Sequence, residues 1–178
     1  MSRTACFEIR LVRAYDAGPK DPECYRVLVD RLWPRGLAKS DLATDEWLRD
    51  IAPSDDLRKW FGHDAEKWHE FRRRYRTELL EYHDICGRLA EHACRQTVEL
   101  LFAARDEQHN NAVVLAEYLQ ELECQRRWNE GWIVGGHTSP VKDALREAGG
   151  LWYMRHRVWT MPDRASWEYA QSLLPGEF

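Results

Sequence analysis

The sequence predicts an α/β fold: an open, mostly parallel sheet with flanking helices, followed by a small β-α-β-β-α module at the C-terminal end. Three observations carry this expectation. Residues 97–104, TVELLFAA, are apolar almost throughout, as a strand buried on both faces is. A loop and an amphipathic segment follow, in the strand–loop–helix order of an open α/β sheet. Beyond Leu122 the texture changes, and five of the nine tryptophans fall there: Trp128, Trp132, Trp152, Trp159 and Trp167.

The elements follow in order. Residues 7–13, FEIRLVR, alternate apolar and polar at period two, the pattern of a half-buried strand. Gly18-Pro19-Lys20-Asp21-Pro22 breaks it. Residues 25–31, YRVLVDR, form a second strand with β-branched Val27 and Val29, and Trp33-Pro34-Arg35-Gly36 turns the chain in a tight loop. Asp45 to Ile51 fits either a short strand or a helical turn. Ser54 is placed to cap a helix that Gly62 stops. Over 65–82 the apolar residues Trp68, Phe71, Tyr75 and Leu79 share one helical face. Ile85, Leu89 and Ala93 mark a second helix over 84–95. After the strand at 97–104 comes a helix from Asn110 to Leu122.

Glu130-Gly131 begins the second module. WIVGG reads as a short strand. A helix from Pro140 to Ala148 follows, with Thr138 or Ser139 as its N-cap and Pro140 in its first turn, and Gly149-Gly150 ends it. LWYMRHRVWTMP reads as a hairpin turning near Arg155-His156, and a last helix over 163–173 starts at Asp163. The expected division is 1–124 for the α/β domain and 128–178 for the Trp-rich module. At about 45 residues of ordered elements, such a module relies on its large aromatic side chains for a core.

Composition bounds the function classes. The chain has 178 residues, 44% hydrophobic and 31% charged, a globular balance. No apolar run approaches the roughly 20 residues of a membrane span, and the start lacks a signal-peptide stretch, so a cytoplasmic location without membrane contact is expected. The net charge of −4 argues against a general polyanion binder. Residues 1–122 hold 19 Lys and Arg against 23 Asp and Glu, and residues 123–178 hold 7 of each, so neither part is basic overall. The five cysteines, Cys6, Cys24, Cys86, Cys94 and Cys124, are scattered and form no C-x-x-C pair, which points to reduced thiols. His63 and His69 are six apart, and His92 and Cys94 diverge on a helix, so no metal site and no cofactor are expected.

Four strings, YRVLVDRLWPRG, APSDDLRKWFGHD, EFRRRYRTEL and LLFAARDEQHNNAVVLAEYL, resemble the domain of unknown function 488 family, also called YeaO-like, over roughly residues 7–122. The resemblance implies a compact α/β fold from a bacterial or archaeal cytoplasm, with no established reaction. Longer relatives in that family carry a signature like LLCAEKDPEHCHR at the end of the apolar strand. Here the corresponding places hold Phe102, Ala104, Asn110, Asn111 and Ala112. The resemblance therefore implies an altered branch, since Asn and Ala serve neither as nucleophile nor as general base. The tail over about 131–174 resembles a small module of the domain of unknown function 3560 family, on its Gly-rich strand, Thr-x-Pro-Val-Lys, Gly-Gly-x-Trp and Trp-x-x-Pro. That module often accompanies DNA-handling domains.

Two constellations are candidate sites. Arg31, Trp33 and Arg35 follow one predicted strand, and Arg105, His109, Asn110 and Asn111 follow another. If the two strands are parallel neighbours, both loops lie at carboxyl ends, where open α/β sheets bind ligands. Guanidiniums there suit a phosphate or carboxylate, and Asn amides suit a base or amide edge. The structural alternative pairs Arg31 with an acid such as Asp106 and uses Asn110 as a helix cap. The second constellation, Thr138, Ser139 and Lys142, could hold an anion at a helix start, with simple capping as the favoured alternative. Arg72, Arg73, Arg74 and Arg76 read as a solvated flank pairing with Glu70 or Glu78, and the tail tryptophans read as core. The expected function is a non-catalytic ligand- or partner-binding α/β domain, with a small anion as the expected ligand, joined to a module that recognises a protein or nucleic acid. An enzyme acting on a small anionic or nucleotide-like substrate, with His109 as acid/base beside Arg31 and Arg35, is the alternative.

Overall fold

Alternating apolar side chains after residue 7 settle into a strand at Ile9–Arg13 (β1). Strand Tyr25–Leu28 (β2), a one-turn helix Lys39–Leu42 (α1) and strand Glu46–Trp47 (β3) follow. Helices Asp55–Phe61 (α2), Trp68–Leu79 (α3) and His83–Arg95 (α4) lead to strand Val98–Phe102 (β4) and helix Asn111–Glu130 (α5). The structure is a computed structural model that describes residues 7–174. The described residues divide into two units, Glu8–Leu119 in one and Phe7 with residues 120–174 in the other.

The first unit holds a four-stranded sheet in the order β1-β4-β2-β3, with every pair parallel. Each residue of β4 is buried, and side chains alternate between faces along a strand, so both faces of the central strand are covered. One charged pair sits among them. Arg26 of β2 stands opposite Glu99 of β4, and its Nε donates to the carboxylate at 2.7 Å with both residues buried. Beside it Leu28 and Leu101 share an apolar cluster with Ala14 and Leu42.

The strand expected over 25–31 ends at Leu28, and the residues beyond it turn into the loop that builds the site. The ambiguous 45–51 segment is both things at once: β3, then a 3-10 turn at Arg49–Ile51. Ser54 caps α2, accepting from the Leu57 N–H, while its own N–H and hydroxyl donate to Glu78. Gly62, at φ +52°, takes the left-handed conformation that stops α2. The helix expected over 65–82 is α3 with a 3-10 turn at each end. Arg73 and Arg74 pair with Glu70, and Arg72 pairs with Glu117.

The helix expected to end at Leu122 instead runs to Glu130. Its continuation is amphipathic in an unusual way: Glu123 and Arg127, one turn apart, are both buried. Arg127 Nε donates to Glu123 at 2.6 Å, and Nη1 donates to the Gly149 and Thr160 carbonyls. The apolar side chains that marked the helix stop at Leu122, and no sequence pattern shows that the charged pair beyond it is buried.

The second unit continues with Ile133–Val134 (β5), Lys142–Glu147 (α6), Leu151–Tyr153 (β6), Val158–Thr160 (β7) and Arg164–Leu173 (α7). Its antiparallel sheet has the order β5-β7-β6. The strand expected over WIVGG is only two residues long, and the helix expected from Pro140 begins as a 3-10 turn at Ser139–Val141. Asp163 caps α7, accepting from the Ser166 N–H. Trp159 joins Val134, Leu145, Met161 and Ala170 in the core, with Trp132, Trp152 and Trp167 packed against it. Trp128 instead stacks on His156 at 4.0 Å.

Gly150 has no room for a side chain. A Cβ there would lie 2.6 Å from the Leu145 carbonyl oxygen and 3.1 Å from Met161 Sδ. Because the first neighbour is backbone, Gly150→Ala is expected to destabilise the second unit by about 1–3 kcal/mol. Urea unfolding followed by tryptophan fluorescence checks this.

Among the described residues, no helix is long and apolar enough to cross a membrane, and no cluster of three or more His, Cys, Asp or Glu could hold a metal ion. Cys24, Cys86 and Cys124 are buried free thiols, and Cys94 is half-buried. Cys6 lies outside the described residues.

Candidate functional site

Parallel pairing of β2 and β4 brings their carboxyl ends to the same rim of the sheet. Five candidates, Arg31, Trp33, Arg35, Asn110 and Asn111, line one open cavity there of about 270 Å³. Asp30, Ala103 and Ala104 join them from the same two strand ends, and Arg58, Phe61 and His63 come from α2 and the turn after it.

Each wall has a physical cause. Asn111 Nδ2 donates to the Val29 carbonyl at 2.9 Å and to Asp30 Oδ1 at 3.2 Å, tying the two strand ends together. Asp30 Oδ2 accepts from the Ala103 N–H at 2.7 Å. Arg31 Nε donates to the Pro53 carbonyl at 3.1 Å, rather than pairing with Asp106. Its terminal nitrogens have no protein partner among the described residues. Trp33 is fixed by its indole N–H on the Leu37 carbonyl and by an edge contact with Trp47. Phe61 and Phe71 stack at 4.2 Å to form an apolar wall.

Charge is graded across the cavity. Arg35, Arg58 and His63 are exposed, whereas Asp30, Arg31 and Asn111 are half-buried. Arg58 pairs with Asp55 at 3.0 Å, and the Arg35 guanidinium has no partner among the described residues. Burial pushes the Asp30 carboxyl above its ordinary value. The Ala103 N–H, the Asn111 amide and the charges of His63 and Arg58 pull it partly back. His63 has φ +60°, a left-handed conformation uncommon outside glycine.

Asn110 lines the cavity and also caps α5. Its Oδ1 accepts from the Val113 N–H, and its Nδ2 donates to the Asp106 carbonyl. His109 and Arg105 are not brought to the cavity. The His109 ring bonds Asp106 at 2.8 Å and meets Trp68 edge-on, and it does not line the cavity with Arg31 and Arg35. Hydrogen bonds from the His109 ring and from the backbone N–H groups of Gln108 and His109 hold Asp106 below the usual carboxylate range. Arg105 is exposed.

The cavity residues that sequence reasoning missed are Asp30, Arg58 and His63. An acid closing the apolar strand YRVLV was a signal for Asp30, since burial there needs a polar partner. Arg58 and His63 reach the rim from a separate helix, and no local pattern announces that.

In the second unit, Thr138, Ser139 and Lys142 line a shallow open pocket of about 410 Å³ with Trp152, Trp159 and Arg146. Thr138 does not cap with its side chain. Its Oγ1 accepts the Trp159 indole N–H at 3.2 Å, because that buried donor needs an acceptor. Ser139 and Lys142 are exposed. The guanidinium of Arg146 lies 5.5 Å above the Trp159 ring and pairs with Asp143.

Comparison with known proteins gives the same family over the first unit and the residues that follow it to 132. The model of a family described as the inactive DUF488-N3 subclade matches residues 8–132. The uncharacterised protein YeaO of Escherichia coli (strain K12) is 43% identical over 114 residues, 64% of this chain and 98% of its own length. The uncharacterised protein Rv3073c of Mycobacterium tuberculosis (strain ATCC 25618 / H37Rv) is 40% identical over 114 residues, 62% of this chain and 92% of its own. No solved structure matches.

Proposed function

This chain belongs to the inactive DUF488-N3 subclade, and from that premise we propose that its first unit is a non-catalytic domain binding a small anionic ligand. The observation supporting this reading is that two sequence-distant loops line one cavity with Arg31, Arg35, Asn110 and Asn111. A guanidinium fork recognises a phosphate or carboxylate through paired N–H donors. At about 270 Å³ the space suits a small guest, just below the roughly 300–1,000 Å³ common for drug-sized ligands. The places where longer relatives carry Cys, Glu and His hold Ala104, Asn110 and Asn111 here, and none of these can serve as nucleophile or base. The enzymatic alternative rested on His109, whose ring is engaged by Asp106 and does not line the cavity.

The second unit we take as a separate domain that recognises a protein or nucleic-acid partner. Its hairpin turn presents Arg155, His156 and Arg157, with Met154 73% exposed beside them.

A ligand at 100 times its Kd stabilises a protein by about 2.7 kcal/mol. Inorganic pyrophosphate is therefore expected to raise the melting temperature of the wild-type protein, with the rise largely lost in Arg35→Ala. Equal stabilisation of both proteins, or turnover of members of a nucleotide panel, contradicts the reading.

A further inference from the structure

Resting on the crevice as a ligand site, we infer that its guest is a guanine mononucleotide, read by the Asp30 carboxylate through the N1–H and 2-amino edge of the base. Among the described residues lining the cavity, Asp30 is the only acidic one, beside three guanidiniums, His63 and amides. Asp30 ties the strand ends, but towards an anionic guest alone its carboxylate is repulsive and costly to bury. Here the carboxylate is held in place by two donors. The Ala103 N–H reaches Oδ2, and the Asn111 amide reaches Oδ1. A carboxylate has about four acceptor sites, so each oxygen keeps capacity for one further donor. Two parallel N–H groups in one plane fill that capacity, as a guanidinium does in fork-on-fork pairing.

The remaining walls fit the rest of such a molecule. Trp33, Phe61 and Phe71 offer apolar surface to a flat ring. Arg35 and Arg58, both exposed, stand where a phosphate would remain partly hydrated. Asp30, half-buried beside Arg31, thus suits a donor edge, and the exposed Arg35 and Arg58 suit an anion. Adenine presents an acceptor at N1, which meets Asp30 with repulsion. Hypoxanthine keeps the N1–H but lacks the amino group, leaving one carboxylate oxygen without its second partner.

The test is titration calorimetry with GMP, IMP, AMP and inorganic pyrophosphate on the full chain. GMP is expected to bind roughly tenfold or more tightly than IMP, because a site built around a donor rejects the analogue lacking it, with AMP weaker still. In Asp30→Asn, the preference for GMP over IMP is expected to collapse towards one while pyrophosphate binding persists. The wild-type GMP-to-IMP ratio stands on its own if Asp30→Asn does not fold. Equal binding of GMP, IMP and AMP overturns the assignment of the base and leaves the anion site intact. If pyrophosphate and every nucleotide fail to bind, both the base assignment and the anion site fall.

Discussion

Glu123→Ala is expected to cost the second unit about 3–5 kcal/mol, the usual loss when one member of a buried ion pair is removed. Arg127 is fully buried, and among the described residues its Nη2 has no partner and Glu123 is its only counter-charge at hydrogen-bond distance. The same carboxylate also pairs with Arg126, which is 45% exposed at its side chain. Solvent screens that contact, so Arg126→Ala is expected to cost less than about 1 kcal/mol. The contrast between the two variants, read by urea unfolding, separates loss of a buried counter-charge from loss of any salt bridge. Replacing both members, Glu123→Leu with Arg127→Met, is expected to cost less than Glu123→Ala alone, because no charge is then stranded.

Acid sensitivity follows from the same pair. Burial alone works to raise the Glu123 carboxyl, but hydrogen bonds from Arg126 and Arg127 outweigh it and hold the group below its ordinary 4.5. A depressed carboxyl contributes stability that is complete above its unfolded value and drains as pH falls through the folded one. The second unit is therefore expected to lose stability below about pH 4.5, with this part of the loss absent in Glu123→Ala.

Glu99→Ala should produce a loss of similar size, about 3–5 kcal/mol, in the first unit. Arg26 is 3% exposed and Glu99 8%, and they face each other across the two central strands. Arg26 would keep only carbonyl acceptors, Gly18 at 3.0 Å and Leu42 at 3.5 Å. The cost of leaving its charge uncompensated far exceeds what two neutral bonds return. If the two units are separate domains, differential scanning calorimetry shows Glu99→Ala lowering one transition and Glu123→Ala the other. A single transition that both variants lower equally contradicts that division.

These two pairs also mark where the sequence stopped being legible. Periodicity was enough to find the strand at 97–104, the α2 cap at Ser54 and the α7 cap at Asp163, because each is a local rule. Glu99 sat inside an apparently apolar run, and its partner lies 73 positions away in sequence. The helix from Asn110 was expected to end at Leu122, where the texture changes, and the buried Glu123–Arg127 pair lies in the eight residues by which α5 runs on. Burial of charge is set by tertiary neighbours, so one-dimensional pattern misassigns it. The site divides the same way. The two loops were found from the strand-end rule, which needs only the parallel order of β2 and β4. That His109 turns to Asp106 while Arg58 and His63 line the crevice depends on how α2 and the loop around Asp106 are placed.

The central claim is that the loops after β2 and β4 hold a common anion, and an NMR titration of the full chain with inorganic pyrophosphate tests it most directly. Backbone amide signals of residues 30–35 and 103–111 are expected to shift together, with one saturation curve, and to stop responding in Arg35→Ala. Shifts confined to one loop, or centred on residues 138–142 instead, would contradict it.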